Sequence, residues 1–204
     1  TEMGKKNVRL TFTEEVLGTS PNNPDIYREY IASKSPDAKT IEDEVASVGV
    51  DEVHEKGITV FPRLDDGTPY IYDYQIKGFF KDSCGALWRV KATKSSKLKA
   101  YKKVIDGNVF IEQRKIPYQI PAGVESPHCI RPLRAQTPQG ERVALAESET
   151  IPAGSSIEFT IMTFDDGLWP TITEWLQYGR YRGIGQWRNS GKGRFEWADG
   201  SEPE

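Results

Sequence analysis

Residues 183–193 read GIGQWRNSGKG, and this glycine-rich stretch decides the fold prediction. Four of its eleven residues are glycine. Glycine is favoured where the backbone takes a positive φ or where another group must approach it closely. An amphipathic segment at residues 168–178 precedes the stretch and is predicted to be a helix, and a strand is predicted around residues 194–197. We call residues 183–193 the glycine loop.

Two common phosphate-binding motifs do not fit the glycine loop. A dinucleotide-binding glycine motif follows a strand and opens a helix, whereas the glycine loop follows a helix and opens a strand. A P-loop needs Gly-Lys followed by Ser or Thr, and the sequence has no such tripeptide. Successive backbone amides in such a loop can still form a concavity that binds an anion.

The rest of the chain alternates between strand and helix patterns. Val8, Leu10 and Phe12 alternate with polar residues, which predicts a strand. Two short helices are predicted within residues 25–50, and a longer helix over residues 75–90. Asp66-Gly67 predicts a hairpin between residues 58–63 and 70–74. Further strands are predicted at residues 109–111, 116–120, 129–136, 141–147 and 156–164.

Three stretches resemble the RAMP superfamily, the repeat-associated RNA-binding proteins that process or sheathe guide RNA in CRISPR systems. The spacing Gly-hydrophobic-Gly, five residues, Gly-x-Gly resembles their C-terminal glycine-rich loop. Residues 74–81 (YQIKGFFK) resemble the segment that opens the first helix of several members. Residues 149–159 (ETIPAGSSIEF) resemble the turn and strand before their last helix. Lys192 departs from the pattern, because the family usually has an apolar residue between the last two glycines.

The resemblance implies an α+β fold with ferredoxin-like, RAMP-type topology, in which an antiparallel sheet packs with helices. The helices predicted at residues 25–50 are then an N-terminal helical insertion. We expect residues 1–197 to form a single composite domain, and residues 198–204 to form a disordered tail.

The charged residues are unevenly distributed. Net charge is 27 − 30 = −3. Residues 89–103, the first basic segment, hold seven cations and no acid, and residues 180–194, the second basic segment, hold five cations and no acid. The remaining chain has 27 − 12 = 15 cations against 30 acids. If the two segments meet in the fold, an acidic protein acquires one electropositive face.

This pattern predicts non-catalytic binding of RNA or single-stranded DNA, which requires a positive track and aromatic stacking platforms. In the competing interpretation Trp187 packs beneath the glycine loop and the arginines form ion pairs within the chain. The candidate nucleic-acid-binding residues are Lys77, Lys94, Lys97, Lys99, Lys102, Lys103, Arg180, Arg182, Gly183, Gly185, Trp187, Arg188, Gly191, Lys192, Gly193 and Arg194.

Catalysis has little support in the sequence. The two histidines, His54 and His128, have no evident catalytic partner, and neither metal-ligand spacing nor a nucleophile motif occurs. We expect no cofactor and no metal, and any cleavage would be that of a metal-independent ribonuclease. Two other functions stay open: a phage-encoded protein-interaction module that counters or mimics a CRISPR complex, and a pocket protein that sequesters a nucleotide.

Cysteine content and hydropathy predict the location and the partners. Cys84 and Cys129 are too few for a disulfide framework and favour a reducing compartment. No apolar run approaches the ~18 residues of a membrane span. We therefore expect a cytoplasmic protein, in the host cytoplasm if it is phage-encoded. Its expected partners are a nucleic acid and a protein in a nucleoprotein complex, with no membrane.

Overall fold

The computed structural model describes residues 3–22, 58–138 and 140–200 of the chain. The chain forms two compact units. Thr1–Val16, Pro62–Glu125 and Ile151–Glu204 make up the first unit, and Leu17–Phe61 and Ser126–Thr150 make up the second. The helical insertion predicted at residues 25–50 lies outside the described residues, and the single composite domain over residues 1–197 stays a prediction.

Twelve strands and three α-helices lie in the described residues. The strands are β1 (Gly4–Phe12), β2 (Val16–Leu17), β3 (Ser20–Pro21), β4 (Thr59–Val60), β5 (Tyr70–Tyr72), β6 (Val109–Ile111), β7 (Lys115–Pro117), β8 (Cys129–Thr137), β9 (Gly140–Ser148), β10 (Thr150–Ile151), β11 (Ser156–Thr163) and β12 (Phe195–Asp199). The helices are α1 (Asp73–Leu87), α2 (Tyr101–Asn108) and α3 (Trp169–Arg182). Short 3-10 turns occupy Ser95–Lys97, Asp166–Leu168 and Arg188–Ser190.

The first unit is built on a ferredoxin-like sheet. Its four strands lie in the order β12-β1-β11-β6, and every neighbouring pair is antiparallel. In chain order these strands and the two long helices read β1-α1-β6-β11-α3-β12, which is the βαββαβ pattern predicted from the resemblance. The α+β fold and its antiparallel sheet are therefore confirmed.

One face of this sheet packs on the two long helices. Val8, Leu10 and Phe12 are buried, as their alternation predicts, and Leu10 lies between Ile157 of β11 and Trp197 of β12. The rings of Phe80 in α1 and Trp175 in α3 lie 5.5 Å apart, and both are buried. Such aromatic side chains bury much apolar surface, so this contact helps to hold both helices on the sheet.

Helix α3 continues further than its sequence pattern predicts. The predicted helix ends at Tyr178, but α3 runs through Gly179 to Arg182. Gly179 is buried under the ring of Phe195, and a Cβ at this position would overlap that ring. The glycine therefore serves close packing between α3 and β12 and does not end the helix.

The second unit contains the strands predicted at residues 129–136 and 141–147, which pair as the hairpin β8-β9 in a four-stranded sheet of order β3-β4-β9-β8. The hairpin predicted at Asp66-Gly67 forms only next to its turn. A turn does form there, but the ladder stops at the bridge between Arg63 and Pro69. The Tyr70 amide donates to the Pro62 carbonyl at 3.0 Å, but Pro62 has no amide hydrogen with which to return the bond. Strand β4 pairs with β3 and β9, and β5 pairs with β7.

The last strand extends into the predicted tail. Strand β12 pairs with β1 as far as Asp199, so the predicted tail at residues 198–204 begins inside a strand. Within the described ranges, no helix is both long enough and apolar enough to cross a membrane.

Candidate nucleic-acid interface

The glycine loop is closed by its own backbone. The amide of Ile184 donates to the carbonyl of Gly193 at 2.9 Å, and the amide of Gly193 donates to the carbonyl of Glu15 at 2.8 Å. Gly183 and Gly193 both have a φ of +72°, and a Cβ on Gly193 would overlap the Ile184 carbonyl. Only glycine permits both this φ and this approach without strain.

Several other loop amides are also occupied. The amides of Gly183, Ser190 and Gly191 donate to the carbonyls of Gly179, Trp187 and Arg188. These groups are not available to a phosphate. A nucleotide-sequestering pocket built on the amides of the glycine loop therefore loses much of its donor set.

Two arginines of the second basic segment share one carboxylate. Arg182 Nε and Arg188 Nη1 each lie 2.8 Å from Asp82 Oδ2, and Arg182 Nη1 also donates to the Asn189 side chain at 3.0 Å. Burial disfavours the charged form of Asp82, but the hydrogen bond from Arg182 and the charge of Arg188 outweigh it, so the pKa of Asp82 lies below its ordinary 3.8. The resulting stabilisation is present above pH 3.8 and is lost as the pH falls through the lowered pKa.

Two of the other three cations of this segment also form ion pairs. Arg180 lies 2.8 Å from Glu196, and Lys192 lies 2.5 Å from Glu15. The Arg194 side chain is exposed, while its carbonyl accepts from Thr13. Ion pairs within the chain thus account for four of the five cations, namely Arg180, Arg182, Arg188 and Lys192.

Trp187 is not sealed beneath the glycine loop. It sits in the left-handed region with a φ of +56°, and 39% of its surface is exposed. Gly185 nearby also has a positive φ of +87°. The indole is therefore open on part of its surface to a stacking partner.

The first basic segment is anchored by a buried hydrogen-bond cluster. Ser95 is fully buried, and its Oγ donates to Glu174 Oε2 at 2.6 Å and accepts from Trp175 Nε1 at 2.9 Å. The Glu174 carboxylate also accepts from the amides of Lys94 and Ser95. The Ser95–Lys97 turn is thereby fixed to α3, which the sparse apolar content of residues 91–103 did not predict.

The cations of the first basic segment are exposed and unpaired. Within the part of the chain that the structure describes, none of them forms an ion pair. In the second basic segment, by contrast, four of the five cations form ion pairs. The exposed side chains are Arg89, Lys91, Lys94, Lys97, Lys99, Lys102 and Lys103.

One cavity brings the two basic segments together. It has a volume of about 730 Å³ and lies within the first unit. Arg89 and Lys102 of the first segment line it, together with Arg182 of the second segment. Lys81, Asp82, Gly85, Ala86, Tyr101 and Tyr178 complete its lining. We call it the basic cavity.

Lys77 lies apart from this lining. Its amine donates to the carbonyl of Asp106 at 3.2 Å and sits 5.1 Å from the ring centre of Phe110. Burial lowers the pKa of this lysine. Lys81, which sequence analysis did not select, does line the cavity. Its position four residues after Lys77, on the same side of α1, was the available signal.

His128, one of the two histidines considered for catalysis, does not line the basic cavity. His128 belongs to the second unit, where its Nδ1 lies 2.5 Å from Glu147, and His54 falls outside the described residues. Within the described ranges no group of three or more His, Cys, Asp or Glu side chains is arranged to hold a metal ion.

Comparison with known proteins gives matches in structure only. No protein-family model matches the chain, and no curated protein matches it in sequence. A chain in the cryo-EM structure of the Type III-B Cmr-beta bound to cognate target RNA has a TM-score of 0.58 and 13% identity, covering 97% of this chain. This chain spans about 60% of the length of that one.

Two further structures cover nearly all of this chain. A chain of the Type IV-B CRISPR complex has a TM-score of 0.46 and 11% identity, over 98% of this chain and 95% of that one. Cmr6 from Pyrococcus furiosus has a TM-score of 0.46 and 11% identity, over 98% of this chain and 100% of that one. The predicted resemblance is confirmed at the level of fold by the likeness to the chain of the Type III-B Cmr-beta complex.

Proposed function

We propose that this protein binds RNA or single-stranded DNA without catalysing a reaction, and that the basic cavity and the first basic segment make the principal contacts. One observation carries the proposal. Of the seven exposed cations without an ion-pair partner among the described residues, Arg89 and Lys102 line a cavity that Arg182 and two tyrosines also line. A cation without a carboxylate partner gives up no internal ion pair when it binds a phosphate.

The cavity supplies both parts that single-strand binding requires. Arg89 and Lys102, which form no ion pair among the described residues, offer positive charge to a phosphate backbone, and Lys81 adds charge while paired with Asp106 at 2.6 Å. Tyr101 and Tyr178 lie among them and offer ring faces, on which a stacked base contributes ~1–3 kcal/mol. Stacking is tolerant of sequence because every base has an aromatic face. We therefore expect little discrimination between sequences.

The second basic segment and the glycine loop have a supporting part in this proposal. The loop closes α3 onto β12, and Asp82 holds Arg182 and Arg188 beside the basic cavity. These arginines add positive charge without being mobile. Trp187, which is partly exposed, is the residue of the loop best suited to contact a base directly.

The comparisons support a nucleic-acid partner. The similar structure with the higher TM-score is that of a complex bound to cognate target RNA. Its likeness to this chain extends over 97% of the present sequence. We propose that the likeness in fold extends to a likeness in ligand, and that this chain works in a nucleoprotein complex with a protein partner.

Binding of fluorescein-labelled decauridine at increasing salt tests the proposal. If about five phosphates are contacted, the slope of log affinity against log salt is about −3.5, because each contact on a single strand contributes about −0.7. Affinity then falls about a hundredfold between 50 and 200 mM salt. Fluorescence anisotropy measures the affinity at each salt concentration. Absence of binding at 50 mM salt, or an affinity that does not change with salt, would show that the function is wrong.

Replacing Asp82 with asparagine is expected to strengthen decauridine binding while weakening the fold. The change removes a negative charge from the basic cavity and releases Arg182 and Arg188 from their shared partner. One additional phosphate contact corresponds to about a fivefold gain in affinity at 0.1 M salt. The melting temperature should fall, since two ion pairs are lost. Weaker binding by a folded D82N protein would contradict the assignment of these arginines to the binding surface.

A further inference from the structure

We propose that Tyr74 forms a second base-stacking contact, at the far end of α1 from the basic cavity. The inference rests on the proposed function and extends it: the ligand becomes a strand long enough to reach both places. Three neighbouring tyrosines and two cations form the site, namely Tyr70, Tyr72, Tyr74, Arg114 and Lys115.

The three tyrosines form a continuous aromatic stack. Tyr70 is buried, and its ring meets that of Tyr72 edge-on at 5.0 Å, with the two hydroxyl groups 2.9 Å apart. Tyr72 and Tyr74 are stacked face to face at 5.0 Å with an interplanar angle of 19°. Tyr74, the last of the three, is 54% exposed. The Tyr74 ring is already stacked on the half-buried Tyr72, so it loses little conformational freedom when a base stacks on it.

Two cations surround this stack. The Arg114 guanidinium lies 5.5 Å from the ring centres of both Tyr72 and Tyr74. An ion pair with Asp73 at 2.5 Å holds the guanidinium in this position. Lys115 Nζ lies 5.1 Å from the ring centre of Tyr70. The Arg114 side chain is 66% exposed. A phosphate next to a base on Tyr74 would therefore meet positive charge.

Helix geometry places Tyr74 on the same side of α1 as the basic cavity. Tyr74, Gly78, Lys81 and Gly85 follow one another at spacings of four, three and four residues, so they share one face of the helix. Lys81 and Gly85 line the basic cavity. Tyr74 and Gly85 are eleven residues apart in α1, which corresponds to about 16 Å along the helix axis. At the 3.4 Å phosphate spacing of a stacked strand, about five nucleotides cover this distance.

The length dependence of binding separates this contact from the basic cavity. Decauridine can reach both places, whereas labelled triuridine fills only one. Replacing Tyr74 with alanine is expected to weaken decauridine binding about tenfold and to leave triuridine binding at the basic cavity unchanged. Tyr74→Phe keeps the ring and is expected to bind both oligonucleotides as the wild type does. Equal thermal unfolding curves for the two variants show that the fold is intact.

Tyr181→Ala is the matched control. Tyr181 is even more exposed, at 67%, but it lines a different cavity with Leu176, Phe195 and Trp197. Its loss should leave decauridine binding unchanged. If the wild type binds decauridine and Tyr74→Ala binds it equally well, or loses affinity equally for both lengths, the second contact is wrong and the proposed function stands. If the wild type binds no decauridine, both are wrong.

Discussion

Replacing Arg89 and Lys102 together with glutamine is expected to weaken decauridine binding about twentyfold at 0.1 M salt. Both side chains line the basic cavity, both are exposed, and neither has an ion-pair partner among the described residues. Each lost phosphate contact removes about 0.7 from the salt slope, which corresponds to about fivefold in affinity at 0.1 M relative to 1 M salt. Competition anisotropy measures the change, and the melting temperature should be unaltered.

A control with the same change in net charge tests whether position matters. Lys5 and Lys6 are exposed on β1, and neither lines the basic cavity. Their replacement with glutamine should alter decauridine affinity less than threefold, because only long-range attraction is lost and salt screens it beyond ~10 Å. Equal losses for the two double variants would mean that net charge, rather than the basic cavity, determines binding.

Replacing Gly193 with alanine is expected to destabilise the protein by about 3 kcal/mol. The left-handed φ of +72° disfavours any side chain, and the added Cβ would overlap the Ile184 carbonyl. Gly193 also links the loop to Glu15 through its amide. The glycine loop must therefore open or shift. Urea unfolding followed by tryptophan fluorescence measures the loss.

Gly78→Ala is the contrasting substitution. Gly78 lies within α1, and a Cβ there would meet no atom within 4 Å. Alanine should stabilise the helix by about 0.5–1 kcal/mol. If Gly193→Ala proved as harmless as Gly78→Ala, the glycine loop would not be closed in the way the structure describes.

Local patterns in the sequence predicted much of the fold. The alternation of Val8, Leu10 and Phe12 identifies β1, and the apolar spacing of residues 75–90 identifies α1. The glycine loop was placed correctly between the last helix and the last strand because its glycines mark a positive φ and a close backbone approach. These features depend on residues near one another in the chain, and so they can be seen without a structure.

Which cations form ion pairs within the chain and which do not could not be predicted in this way. Arg182 and Arg188 have the same local sequence character as Lys97 and Lys99, yet they pair with Asp82, about a hundred residues earlier. Only the packing of α1 against α3 reveals that contact. The anchoring of the first basic segment has the same origin, since Ser95 and Glu174 are 79 residues apart.

The short extent of the hairpin at Asp66-Gly67 has a different cause. The turn itself forms as predicted, with the Gly67 amide donating to the Leu64 carbonyl at 2.9 Å. The strands on either side find better partners elsewhere, and Ile71 of β5 pairs with the buried Ile116 of β7. A turn motif predicts the local reversal of the chain, whereas tertiary packing decides which strands pair.

The most direct test of the account compares the salt dependence of decauridine binding for the wild type and for the Arg89→Gln, Lys102→Gln double variant. The wild type should give a log-log slope of about −3.5 and the variant a slope of about −2, since two of about five phosphate contacts are removed. Equal slopes for the two proteins would place the phosphates elsewhere and contradict binding at the basic cavity.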